Sequence, residues 1–99
     1  MIELLPQHQF DAFCRKWRIA ELLYVGEVHL DFDDDARDAH RFIAKFRPDA
    51  RWGYFDVFDM EDELSRTLGV PVQILSRDGI KKGRESAFRI QDAAVLHRD

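Results

Sequence analysis

The residues best suited to chemistry lie between positions 21 and 46, in the string ELLYVGEVHLDFDDDARDAHRFIAKF. Glu27, His29 and Asp31 alternate with Val28, Leu30 and Phe32, so in an extended chain the three polar side chains share one face. Imidazole and carboxylates on one face can hold a divalent cation. The same alternation is the ordinary pattern of a half-exposed strand, which is the commoner case. Asp33, Asp34 and Asp35 then interrupt the apolar pattern. Short carboxylates of this kind satisfy free backbone N–H groups at a turn or a helix N-cap. Asp38 and His40 follow two residues apart, and Gly26 closes the apolar run that precedes Glu27. His8, His40 and His97 each stand alone in the sequence, a placement that suits satisfied or solvated imidazoles better than ligands.

These residues must be positioned by a small set of elements. Phe10, Phe13, Cys14 and Trp17 fall on one face of a helix over 6–18, with Pro6 suited to its first turn. Arg15, Lys16 and Arg18 near its end complement the helix dipole and suit a solvated face. The run 22–25 and the alternation up to Phe32 predict strand. Ala39, Phe42, Ile43 and Phe46 have helical spacing over 36–46, although the length of the segment also suits a strand. Arg47-Pro48 ends that element, because the residue before proline is pushed out of helical geometry. A second helix is predicted over 55–68, with Val57, Met60, Leu64 and Leu68 as its buried stripe and Gly69 as its C-terminal cap. A strand over 70–75, a polar turn through Asp78-Gly79, a short helix over 84–91 and a strand over 93–97 complete the chain. The alternation of helices and strands predicts an α/β (α+β) domain of two layers, with helices packed on a small sheet.

The 99 residues form one domain, 1–99, with room for a single core. A hydrophobic content of 45% with 34% charged residues excludes disorder. The net charge of −4, with both signs interspersed, excludes a general nucleic-acid or membrane surface built on electrostatics. It leaves open a local patch assembled by folding. No window holds the ~18 apolar residues that span a bilayer, and the start lacks a signal-peptide layout, so a cytoplasmic protein is expected. Cys14 lies on the apolar stripe of the first helix and is expected to be a buried thiol. Trp52, Tyr54, Phe55 and Phe58 are more aromatic surface than one helix stripe can bury. Core is the commoner fate of such a cluster, and any exposed remainder would be an interaction patch.

Several strings resemble the minimal nucleotidyltransferase (MNT) domains, which are commonly paired with HEPN-domain proteins in two-gene modules. YFDVFDMEDELSRTLGVPVQILSRDGI is similar to that family's acidic helix, turn and following core strand, FRIQDAAVLHRD to its closing helix and strand, and FCRKWRIAELLYVGE to its first helix and the strand bearing a Gly-Ser motif. The resemblance covers nearly the whole chain and implies a nucleotidyltransferase-like fold with a mixed sheet of about four strands. It also implies that 36–46 is strand, against the raw periodicity.

In that family a Gly-Ser pair at a helix start holds the phosphates of a nucleoside triphosphate, and carboxylates on adjacent strands hold two Mg²⁺ ions. By the resemblance, Gly26 and Glu27 are the vestigial nucleotide-binding positions. A carboxylate at Glu27, ~4 Å from a phosphate charge, would cost about 4 kcal/mol at an effective dielectric near 20. The paired acids fall on Asp38 and His40 counting forward from Gly26, or on Ala39 and Arg41 counting back from Phe46. The third acid falls on Gln73, whose amide brings no charge to Mg²⁺.

The expected function is therefore that of a pseudoenzyme with vestigial positions Asp38, His40 and Gln73. It would need no cofactor and would act by protein binding, as the antitoxin-like member of a toxin–antitoxin pair with a HEPN-domain chain. The alternative is an active nucleotidyltransferase that uses ATP and Mg²⁺ to place a nucleoside monophosphate on a protein acceptor. Glu27, His29 and Asp31 are then the candidate metal ligands. Homodimerisation through the aromatic cluster is a third reading.

Overall fold

A computed structural model describes residues 6–32, 35–80 and 93–98. The order of elements is α1 (Gln7–Lys16), β1 (Ile19–Phe32), β2 (Asp35–Phe46), α2 (Tyr54–Leu68), β3 (Val72–Ser76), a 3₁₀ turn (Arg77–Gly79) and β4 (Ala94–Arg98). The strands form one mixed sheet in the order β3-β2-β1-β4. β1 pairs antiparallel with both β2 and β4, and β2 pairs parallel with β3. The α2 connection supplies the crossover that a parallel pair requires.

The two layers follow from the apolar pattern. α1 buries Phe10, Phe13 and Cys14, and α2 buries Met60 and Leu64, all against one face of the sheet at Ile19, Leu22, Phe42, Ala44, Val72 and Ile74. Each such side chain, fully buried, contributes on the order of 1.5–3 kcal/mol. A smaller cluster of Leu23, Ile43 and Ile80 occupies the other face. Segment 36–46 is strand, as the resemblance implied, because its apolar residues are divided between the two faces. Cys14 is fully buried, as expected.

Helix ends obey the local chemistry. Asp56 accepts the Gly53 N–H at 2.8 Å where α2 begins, and Gly69 ends α2 in the left-handed conformation (φ 75°), its N–H bonded to the Ser65 carbonyl. α1 ends through Arg18 at φ 55°, a left-handed position held by a non-glycine residue. Glu63 joins the helices by accepting from Lys16 and, at 3.2 Å, from the Trp17 indole. On the edge strand β3, the Ile74 N–H donates to Glu61 at 2.8 Å, which removes one open donor from that edge.

β1 runs through Gly26 to Phe32, as the alternation predicted. Two boundaries differ from the sequence reading. β3 starts at Val72, because Pro71 has no N–H to give the ladder. Asp35 is part of β2 rather than of a turn. Asp33, Asp34 and the helix expected over 84–91 lie outside the described residues.

The contact between α1 and β4 carries a pH dependence. The Asp11 carboxylate accepts from Gln7 at 3.0 Å and lies 2.7 Å from His97 Nδ1, and Gln7 also donates to the Leu96 carbonyl. The hydrogen bond with His97, then that with Gln7, holds the Asp11 carboxyl below its ordinary value of 3.8. A carboxyl lowered on folding stabilises the fold above its unfolded value, and that stabilisation is lost as pH falls through the lowered one. Asp11→Asn is expected to flatten this part of the fall in Tm between about pH 5 and about pH 2. Thermal unfolding at each pH, wild type beside variant, measures it.

Candidate functional site

Gly26 sits inside β1, opposite Arg41 of β2. The pairing register shifts between Tyr24 and Gly26, and Gly26 takes φ 131°, so a bulge turns the strand at this point. Its backbone continues a strand, and no helix starts there to aim free N–H groups at a phosphate. The phosphate cradle implied by the resemblance is therefore replaced by a hairpin. Only glycine enters this φ range without strain, so Gly26→Ala is expected to cost on the order of 1–3 kcal/mol. Urea unfolding with an unchanged m-value would show it.

Asp38, His40 and Gln73, the positions that the resemblance implies, do not share one face of the sheet. Gln73 lies on the face of the sheet opposite the helices, between Val72 and Ile74, which enter the helix-side core. Its cross-strand partner is Arg41, and the Arg41 Nε donates to Gln73 Oε1 at 2.7 Å. The residues that share Gln73's face are Ala39 and Arg41, the pair given by the count made back from Phe46. Asp38 and His40 lie on the other face. Asp38 is exposed, with its Oδ1 2.9 Å from His29 Nδ1, and His40 is buried. A guanidinium thus stands beside Gln73, the position onto which the resemblance puts the third acid.

Glu27 and His29 do share a face, as their alternation predicted, but each is directed to its own cross-strand neighbour. Glu27 lies 3.9 Å from His40 Nε2, and His29 pairs with Asp38. The Asp31 side chain lies outside the described residues. No group of three His, Cys, Asp or Glu side chains among the described residues is arranged to hold a metal ion. His40 is a satisfied core histidine: its Nδ1 is 2.8 Å from the Tyr24 hydroxyl, and its backbone N–H donates to the Pro71 carbonyl. Burial, then the nearby Glu27 carboxylate, raises the Tyr24 phenol above its ordinary value of 10.0.

The aromatic cluster departs from the core reading. Tyr54, Phe55 and Phe58 are 85%, 83% and 58% exposed, and the Phe55 and Phe58 rings meet edge to face at 6.5 Å. Only Trp52 turns inward, half-buried, with its indole N–H donating to the Trp17 carbonyl at 2.7 Å. A signal was present in the sequence: at ~100° per residue, Phe55 and Phe58 fall roughly opposite the stripe of Met60 and Leu64. Exposed Asp59 and Asp62 flank them on the helix, and Asp62 pairs with Arg66 at 2.5 Å. Three large aromatic side chains are thus exposed at the start of a well-anchored helix, two of them in ring contact, with acidic residues beside them. No helix among the described residues is long and apolar enough to cross a membrane. No protein-family model, curated protein or solved structure matches the chain.

Proposed function

We propose that this chain is a nucleotidyltransferase-like domain that does not carry out transfer and acts by binding a protein partner through the outward face of α2. The observation that carries the binding half is the exposure of Tyr54, Phe55 and Phe58 together. Aromatic side chains on a rigid helix are strong anchors, because they bury large areas while losing little rotamer freedom. The Arg41–Gln73 bond supports the silent half, since the resemblance puts a carboxylate at Gln73 and a guanidinium is bonded there instead.

The chemistry of the patch defines its partner as a protein surface with an apolar groove that takes a helix face and a basic rim that meets Asp59 and Asp62. The resemblance to MNT domains identifies the class as a HEPN-domain chain, with this protein as its antitoxin-like member and with neither ATP nor Mg²⁺ required. Co-expression with a HEPN-domain chain encoded beside it, followed by gel filtration and hydrogen exchange, tests the reading. The expected result is a stable complex with protection gained over residues 54–62. A complex protected only elsewhere, or separate elution of the two chains, contradicts it.

A further inference from the structure

Two adjoining clefts lie at the end of the sheet away from His40, where β2 runs into the loop before α2. One is an apolar groove of about 840 Å³ with Phe46, Pro48, Trp52, Tyr54 and Val57 in its walls and Lys45 at its edge. Its volume falls in the range of sites that take small organic ligands. The other is lined by Arg15, Arg18, Arg47, Pro48 and Asp49. Arg47 and Pro48 belong to both, so the apolar groove opens directly onto the arginines.

The arginine cleft concentrates positive charge on a chain whose net charge is −4. Three arginines line it together with Asp49, which Arg18 holds at 2.7 Å. That pair is more than half exposed on both sides, at 53% and 64%, so an incoming phosphate can compete for Arg18. Arg18 is also the residue held at φ 55°. Backbone groups contribute little here: the Trp17 and Arg18 N–H groups bond to the Phe13 and Arg15 carbonyls, and the Arg47 N–H to the Arg18 carbonyl. Contacts to an anion must come from the guanidinium side chains, which match phosphate oxygens in bidentate geometry. The sequence KFRPDARWGY, read with this geometry, interleaves basic and aromatic residues along the rim shared by both clefts.

The geometry points to a binding site for a nucleoside 5′-phosphate unit, with its base in the apolar groove against Tyr54 and Trp52 and its phosphate on Arg15, Arg18 and Arg47. The unit is either a free nucleotide or part of a single strand, since both present a flat aromatic ring beside a phosphate. The site is separate from the Gly26, Arg41 and Gln73 region, shares Tyr54 with the proposed protein-binding face, and needs no metal ion. It is a local basic patch assembled by folding, which an evenly mixed charge in the sequence does not reveal.

The test uses the full chain at about 50 mM salt, with binding of AMP read by tryptophan fluorescence and binding of a labelled uridine oligonucleotide read by anisotropy. Binding of either probe with Kd below about 1 mM is expected, with mutual competition if both bind, and the tighter probe identifies the source of the unit. The double variant Arg15→Gln/Arg47→Gln, with an unchanged Tm, is expected to weaken binding about a hundredfold. The salt dependence of oligonucleotide binding should weaken in the same variant, because two of the three guanidinium groups on the phosphate are removed. Adenosine should bind far more weakly than AMP. The inference is overturned if neither probe binds, or if the double variant binds AMP and the oligonucleotide as tightly as the wild type does.

Discussion

Replacing Phe55 and Phe58 together by alanine is expected to weaken binding to the partner chain about a hundredfold or more, with little change in Tm. Aromatic anchors at the centre of an interface carry about 2 kcal/mol or more each. These two touch one another, so their contributions will not simply add. Stability should be spared because both rings are largely exposed and α2 is held by other means: Met60 and Leu64 in the core, Asp56 at its start and Gly69 at its end. Replacing Asp59 and Asp62 by asparagine should act differently, slowing association and reducing its salt dependence more than it speeds dissociation. Surface plasmon resonance of the alanine and asparagine variants against the HEPN-domain chain separates the two effects. A double alanine variant that binds like the wild type would remove the α2 face from the account.

Phe42→Ala is expected to cost about 3–5 kcal/mol of folding stability. Phe42 has no exposed surface, lies in β2 at the centre of the sheet and meets the Tyr24 ring at 5.1 Å. Its cluster includes Phe10, Met60 and Leu64, so truncation opens a cavity at the point where both helices press on the sheet. Against a total of about 5–15 kcal/mol for a domain of this kind, the loss leaves a marginal fold. Urea unfolding should show a large drop in midpoint with the m-value kept. A fall of less than about 1 kcal/mol would mean that the layers do not pack as described.

The sequence and the structure agree where one side chain pattern has one structural meaning. α2 was legible from the stripe of Val57, Met60, Leu64 and Leu68 and from Gly69, whose positive φ the cap requires. Cys14 was legible from its place on the α1 stripe. β2 was ambiguous for a physical reason. A central strand is covered on both faces, so Ala39 and Ile43 face one side while Phe42 and Ala44 face the other. The resulting spacing of Ala39, Phe42, Ile43 and Phe46 imitates a helix, and only the resemblance pointed to strand.

The candidate site was harder to read because it depends on register. Whether Gln73 meets His40 or Arg41 is set by the pairing of β2 with β3, which neither strand encodes alone. Gly26 pointed to a phosphate turn while its φ serves a bulge within a continuous strand. Tyr54, Phe55 and Phe58 were noticed as excess aromatic surface, but their exposure depends on which face of α2 the sheet covers.

On the proposed reading, Arg41, bonded to Gln73, occupies a position that metal-assisted transfer would give to carboxylates, and the chain acts by binding. Incubation of the chain and its HEPN-domain partner with Mg²⁺ and ATP labelled in the α-phosphate tests this directly, because transfer leaves labelled AMP covalently on protein. The account predicts no incorporation above a protein-free blank, whether or not AMP itself binds at the arginine cleft. Mg²⁺-dependent labelling of either chain would contradict it.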